Sequence, residues 1–149
     1  HPSVHICFFN FLCMHPDIDV LIVVGGVHTE EVKKTNVITW MADIAAKSER
    51  VLSVCTGAFI LAEAGLLDGL TVTTHWQDID DLKADYPKLH VIDNQRWVSQ
   101  GKYITSGGIS AGIDMSLHLV SELTTFSLAE KTARQMEYHW QKYPYYECK

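Results

Sequence analysis

The chain has 149 residues, of which 47% are hydrophobic and 20% charged, as in an ordinary single globular domain. Its formal net charge of −6 argues against a nucleic-acid partner, and no apolar run is long enough to span a membrane. Cys7, Cys13, Cys55 and Cys148 show no disulfide spacing, no signal-peptide pattern is present, and Cys7, Cys13 and His15 match no zinc-ligand pattern. We therefore expect a cytoplasmic protein without a metal or cofactor.

Two apolar stretches near the amino terminus predict strands. Residues 4–9 are apolar, β-branched or aromatic. Residues 18–24 form a continuous apolar run, which indicates burial on both faces, as in a parallel sheet. This second run ends in Gly25-Gly26, where the backbone can approach a ligand and present N–H groups, although an ordinary turn explains a glycine pair equally well.

Residues 50–62 predict a buried strand that turns into a helix at Cys55. Ser53 and Gly57 stand two residues before and after Cys55, the spacing of a nucleophile elbow, whose tight turn excludes bulky flanking residues. At the first turn of a helix, unpaired N–H groups and the helix dipole favour the thiolate. A small buried cysteine is the alternative, but the spacing favours a nucleophile. The N–H groups of Gly26 and Thr56 are then candidate oxyanion donors.

The remaining elements follow from hydrophobic periodicity and turn residues. Helices are predicted over residues 34–47, 77–86, 110–123 and 128–140, and strands over residues 70–74, 89–92, 97–98 and 103–105. Strands that alternate with helices predict an α/β fold with a mostly parallel sheet covered on both sides. Ligand chemistry is expected at the carboxyl ends of its strands.

Four motifs in register, at residues 19–26, 53–58, 73–76 and 105–114, carry a family resemblance. The chain resembles the ThiJ/PfpI family of the class I glutamine amidotransferase-like superfamily. Within that family it is most similar to isonitrile hydratases and to the sensor domains of AraC-type transcription regulators. Thr56 follows the cysteine where the PfpI peptidases have His, so the base next to the thiol is missing.

The resemblance implies a flavodoxin-like three-layer sandwich that forms a homodimer and acts on a small-molecule substrate. Cys55 attacks the terminal carbon of an isonitrile, and water releases an N-substituted formamide, which is lyase chemistry. Thr56 and Gly26 position or stabilise the reacting group. His75 follows a strand that ends near the elbow, where it either assists Cys55 or caps the strand.

Other residues that the resemblance assigns to the pocket are Gly25 and the segment that contains Ser110 and Asp114. For Asp114, hydrogen bonding at a helix terminus is favoured over catalysis.

The chain departs from these relatives before the Gly25-Gly26 strand. The relatives carry an acidic loop, a helix and further strands there, and residues 10–17 contain no such elements. We therefore expect a single domain over residues 1–149 whose amino-terminal part is incomplete, or is completed by a partner. Two further functions remain open: a ligand-sensing domain without enzymatic activity, and a redox or reactive-carbonyl protein in which Cys55 is oxidised.

Overall fold

The structure is a computed structural model that describes residues 15–145, so the strand predicted over residues 4–9 lies outside the described part of the chain. The strands are β1 (Val20–Val23), β2 (Arg50–Val54), β3 (Thr71–Val72), β4 (His90–Val91), β5 (Trp97–Gln100) and β6 (Tyr103–Ser106). The helices are α1 (Thr35–Lys47), α2 (Gly57–Glu63), α3 (Ile79–Asp85), α4 (Ile109–Leu123) and α5 (Phe126–Gln135). A short 3₁₀ turn, Trp76–Asp78, precedes α3.

Within the described residues, the main sheet has the strand order β1-β2-β6-β5. The first three strands are parallel, whereas β5 runs antiparallel to β6. The exception arises because a tight turn joins β5 directly to β6, with Gly101 at a φ of +63°. Strands β3 and β4 pair with each other in a separate, parallel two-stranded sheet. The mostly parallel sheet is therefore confirmed.

Alternate residues of the strands face opposite helical layers, as the two-residue period of a strand requires. Leu21 and Val51 pack with the buried faces of α1 and α2 in one apolar cluster. Leu52 and Ile104 pack with Met115 of α4 in another cluster on the opposite side of the sheet. Helix α5 packs on the outside of α4. This arrangement confirms the three-layer α/β sandwich.

Helix α5 differs from its predicted extent, because it ends at Gln135 and not at residue 140. Glu137 has a φ of +52°, which turns the chain out of the helix. The indole Nε1–H of Trp140 then donates to the carbonyl oxygen of Asp114 at 3.2 Å, so the following segment crosses α4. Tertiary hydrogen bonds thus replace the last turn that periodicity predicted.

Among the described residues, no helix combines the length and the apolar character needed to cross a membrane.

Candidate active site

Cys55 lies between the end of β2 and the start of α2, where the chain turns sharply from strand to helix. Its φ of +54° is in the left-handed region, which a residue with a side chain rarely adopts. Such a conformation costs about 1–2 kcal/mol for an L-residue, and strain of this kind clusters at functional sites. The half-buried Cys55 side chain therefore sits in the strand–turn–helix geometry that is typical of a nucleophile elbow.

Two glycines let the end of β1 approach the elbow closely. A Cβ atom at Gly57 would lie 2.2 Å from the carbonyl oxygen of Val23, and one at Gly25 would lie 2.8 Å from the Cβ of Cys55. Neither position has room for a side chain without a shift of the backbone. Ser53, on the other flank of Cys55, is fully buried. The small residues around the cysteine are thus needed because two strands and a helix converge there.

Hydrogen bonds hold the strained backbone of Cys55 on both sides. Its N–H donates to the carbonyl oxygens of Ser106 and Gly107, each at 3.1 Å. Its carbonyl oxygen accepts the hydroxyl of Thr74 at 2.8 Å. Because Ser106 ends β6 and Thr74 follows β3, the carboxyl ends of two other strands fix the conformation of the elbow.

Thr56 and Gly26 form a closed pair of hydrogen bonds beside the elbow. The Gly26 N–H donates to the Thr56 hydroxyl oxygen at 3.0 Å, and that hydroxyl donates to the Gly26 carbonyl oxygen at 2.9 Å. The Gly26 N–H therefore already has an acceptor in the protein, and its role as an oxyanion donor stays a prediction. The Thr56 N–H is the other candidate donor, and it faces Gly25, where a Cβ would lie 2.9 Å away.

The Cys55 side chain opens onto a cleft of about 740 Å³. Its walls include Ile22 of β1 and Val24, which directly follows that strand, and α4 contributes Ile109 and Ile113. None of the described residues that line the cleft carries a charge. The cleft therefore favours a neutral, apolar ligand, because an ion would lose its hydration there without a partner.

His75 caps the 3₁₀ turn rather than lining this cleft. Its Nδ1 accepts the Gln77 N–H at 3.4 Å, and the Asp78 carboxylate lies 3.3 Å from the same nitrogen. The other side of the ring packs against Gly108, where a Cβ would lie 2.9 Å from the His75 Cδ2. Of the two roles expected for His75, these contacts favour the structural one.

Of the predicted pocket residues, Gly25 lines the cleft beside Gly26, whereas Ser110 and Asp114 lie outside it. Asp114 is fully buried and forms an ion pair with Arg96 through Oδ2. Its Oδ1 accepts the backbone N–H of Gln141 at 2.9 Å. The carboxylate therefore binds neither a ligand in the cleft nor a helix terminus, because it lies within α4 and its oxygens are used by distant residues.

Thr74 and Arg96 are the contributors to the site that our sequence analysis did not single out. Thr74 stands in the third motif, so its position beside His75 was a usable signal. No sequence pattern indicates that Arg96 is buried near the site, because a single cation before a short strand usually reaches solvent. In the structure Arg96 is only 9% exposed.

The sequence profile of the DJ-1/PfpI family matches residues 12–122. The chain is 38% identical to the isonitrile hydratase of Pseudomonas putida over 125 residues, which are 83% of this chain and 53% of that enzyme. It is 33% identical to the HTH-type transcriptional regulator CdhR of Pseudomonas aeruginosa over 78% of this chain and 34% of the regulator. The chain therefore spans about half of the hydratase and a third of the regulator.

Solved structures show the same fold. A ThiJ/PfpI family protein from Pseudomonas syringae superimposes with a TM-score of 0.77 at 32% identity, over 85% of this chain and 52% of that protein. Drosophila melanogaster DJ-1beta superimposes with a TM-score of 0.69 over 82% of this chain and 65% of that protein, and its 18% identity bears on the fold alone.

Proposed function

Since the chain belongs to the DJ-1/PfpI family, we propose that it is a cysteine-dependent hydratase or hydrolase that acts on a small electrophile, as an isonitrile hydratase does. The observation that carries this proposal is the left-handed backbone of Cys55 at the mouth of an apolar cleft. A thiol held in this way lies at the start of α2, beside the backbone N–H of Thr56.

In the proposed reaction, the Cys55 sulfur forms a bond to the terminal carbon of an isonitrile, and the thiol proton passes to that carbon. The product is a thioimidate. Water then adds to the same carbon, the C–S bond breaks, and the thiol is regenerated as the nitrogen is protonated. The sum is one isonitrile plus one water giving one N-substituted formamide, with no change in oxidation state of the sulfur.

The described residues divide the remaining tasks between them. The Thr56 N–H is positioned to support charge that develops on the bound group, while its hydroxyl holds Gly26 and with it the loop after β1. The described lining of the cleft includes no carboxylate or imidazole, so the protons in this scheme come from the thiol and from water. His75, Ser110 and Asp114 take no direct part.

The test is formamide production from a neutral alkyl isonitrile. We expect product from the unmodified protein and none from Cys55→Ala. Cys7→Ala, Cys13→Ala and Cys148→Ala are matched controls, and each retains the activity. Equal formamide release by the Cys55→Ala variant would exclude the covalent route.

A second candidate is a ligand-sensing domain without catalysis, which the similarity to the regulator CdhR favours. In that case the same isonitriles, or other neutral apolar molecules, bind in the cleft without turnover. Calorimetry on the Cys55→Ala variant separates the two: retained binding with no turnover by the unmodified protein supports the sensor.

A third candidate is redox or reactive-carbonyl chemistry at Cys55, for which half-burial leaves the sulfur accessible. Mass spectrometry of the peroxide-treated protein measures the oxidation of Cys55. Addition of two oxygen atoms to Cys55 supports a sulfinate, and an unmodified Cys55 excludes this redox function.

We also propose a cytoplasmic homodimer. The apolar side chains of Ile22, Val24 and Ile109 are 43%, 69% and 84% exposed around the cleft, and exposed apolar surface of this kind favours association. Sedimentation at micromolar concentration measures the assembly: a single monomer species contradicts the dimer.

A further inference from the structure

The segment of residues 138–145, here called the C-terminal strap, crosses α4 and is fastened to it by side chains. The Tyr138 hydroxyl donates to the Ser110 carbonyl oxygen at 3.0 Å. The Trp140 indole and the Gln141 N–H bind the carbonyl oxygen and the carboxylate of Asp114, at 3.2 and 2.9 Å. Asp114 is thus the main attachment point of the strap on the helix.

A buried ion pair carries this attachment to the sheet. The Arg96 guanidinium donates from Nε to Asp114 Oδ2 at 2.7 Å and from a terminal nitrogen to the same oxygen. Asp114 has no solvent exposure and Arg96 is 9% exposed, so the pair is formed in the interior. A planar guanidinium with two donors on one carboxylate fixes orientation as well as distance.

The backbone of Arg96 connects the strap to the elbow. Its N–H donates to the carbonyl oxygen of Pro144 in the strap, and its carbonyl oxygen accepts the Gly107 N–H at 2.9 Å. The Gly107 carbonyl oxygen in turn accepts the Cys55 N–H at 3.1 Å. This chain of hydrogen bonds from the strap to Cys55 therefore passes through Arg96 and Gly107.

Helix α4 provides a second connection between the C-terminal strap and the elbow at Cys55. A Cβ at Gly112 would lie 2.6 Å from Val54 Cγ1, so the helix rests directly on the residue before Cys55. Ile109 and Ile113, on the same helix, form a wall of the cleft. Any shift of α4 along its contact with the strap consequently changes both the cleft and the support of the elbow.

We infer that Arg96 and Asp114 are positioning residues for Cys55: their buried pair fastens the C-terminal strap to α4 and fixes the Gly107 carbonyl that holds the elbow. The inference rests on the proposed function, because it treats the reactivity of Cys55 as the property that is being positioned. Neither residue touches the cleft, so both act through the backbone and through α4.

The experiment measures the rate of Cys55 alkylation by iodoacetamide between pH 6 and 9, followed at that residue by mass spectrometry. Arg96→Lys keeps the charge but loses the planar fork, and Asp114→Asn keeps the shape but loses the charge. We expect either variant to alkylate about tenfold more slowly and with an altered pH profile, because small misplacements of a reacting group are costly. Circular dichroism and a cooperative unfolding transition verify that each variant is folded.

Arg50→Gln is the matched control. Arg50 also pairs with α4, through Glu122 at 3.9 Å, but both side chains are more than a third exposed and Arg50 lies at the start of β2. We expect this variant to keep the alkylation rate and the pH profile of the unmodified protein. Folded Arg96→Lys or Asp114→Asn protein that matches the Arg50→Gln control would overturn the inference.

If both buried variants fail to fold, Tyr138→Phe decides, because it removes the strap hydroxyl that binds the Ser110 carbonyl oxygen of α4 and that also interacts with Asp114 and Arg96. Slower alkylation of Cys55 in a folded Tyr138→Phe variant supports the inference, and an unchanged alkylation rate overturns it. The proposed function fails separately: in that case the unmodified protein releases no formamide, whereas the alkylation comparison among the variants still decides the positioning.

Discussion

The elbow depends on the absence of a side chain at position 57, and Gly57→Ala tests this dependence most directly. The new Cβ would stand 2.2 Å from the Val23 carbonyl oxygen, whereas ordinary contact begins at 3.4 Å. The obstacle is backbone on both sides, so no side chain can rotate out of the way. Strand β1 and helix α2 must separate by about 1 Å to restore ordinary van der Waals contact.

Overpacking of a well-packed interior costs about 1–3 kcal/mol, and occasionally more. Because backbone must move here, we expect Gly57→Ala to lower the free energy of unfolding by about 3 kcal/mol. For a domain of this length, that loss corresponds to a fall in the melting temperature of about 10 °C. Urea titration followed by circular dichroism measures the free energy, provided that the slope of the transition stays constant.

Gly107→Ala is the matched control, since it also lies beside Cys55 but its Cβ would meet its nearest neighbours at 3.6 and 3.7 Å, in ordinary contact. We expect a change below about 1 kcal/mol in this variant. The reasoning is refuted if Gly57→Ala unfolds within about 1 kcal/mol of the unmodified protein.

Three further changes probe the same region and the packing of α2. The free energy of unfolding of Cys55→Gly should be about 1 kcal/mol higher than that of Cys55→Ala, because alanine at this position keeps the left-handed strain and glycine relieves it. Equal stabilities of the two variants contradict a strained elbow. Thr56→Val should lose about 1–2 kcal/mol by leaving the Gly26 N–H and carbonyl unpaired, whereas Thr56→Ser should not; equal urea midpoints argue against the closed pair. Burial, and then the hydrogen bond to Glu63, raises the pKa of Tyr86 well above its ordinary value of 10. Neutral Tyr86 thus contributes stability that is present below pH 10 and is lost as the pH rises above it. The free energy of unfolding should therefore fall more steeply in the unmodified protein than in Tyr86→Phe between about pH 10 and 11. Equal slopes of free energy against pH in the two proteins exclude this contribution.

The elbow was predictable because its signal is local. Ser53, Cys55 and Gly57 lie within five residues, and the apolar run before them and the helix formers after them leave few alternatives. The layered sheet was predictable for a similar reason, since alternating strands and helices admit few arrangements. In both cases neighbouring residues carry the information, and the tertiary structure agrees with their local preferences.

Contacts between distant residues were not predictable in this way. The Thr56 hydroxyl reaches a glycine 30 positions earlier, and Arg96 pairs with an aspartate 18 positions later. Hydrophobic periodicity does not predict either of these contacts, because both are made by polar groups far apart in the sequence. Contacts of this kind engage the Gly26 N–H and the Asp114 carboxylate, and another replaces the predicted last turn of α5.

A cysteine keeps a strained backbone conformation only where the surrounding contacts stabilise it by more than the strain costs. Here the left-handed turn costs about 1–2 kcal/mol, and a typical hydrogen bond contributes about 1 kcal/mol net. The bond that the Cys55 N–H shares between Ser106 and Gly107, together with the bond from the Thr74 hydroxyl, contributes about 2 kcal/mol and therefore offsets the strain. Because these groups stand at the ends of β6 and β3, the elbow forms only after the strands have assembled. The reactive conformation of Cys55 is thus a property of the folded sheet, and a peptide of residues 50–62 should not reproduce it.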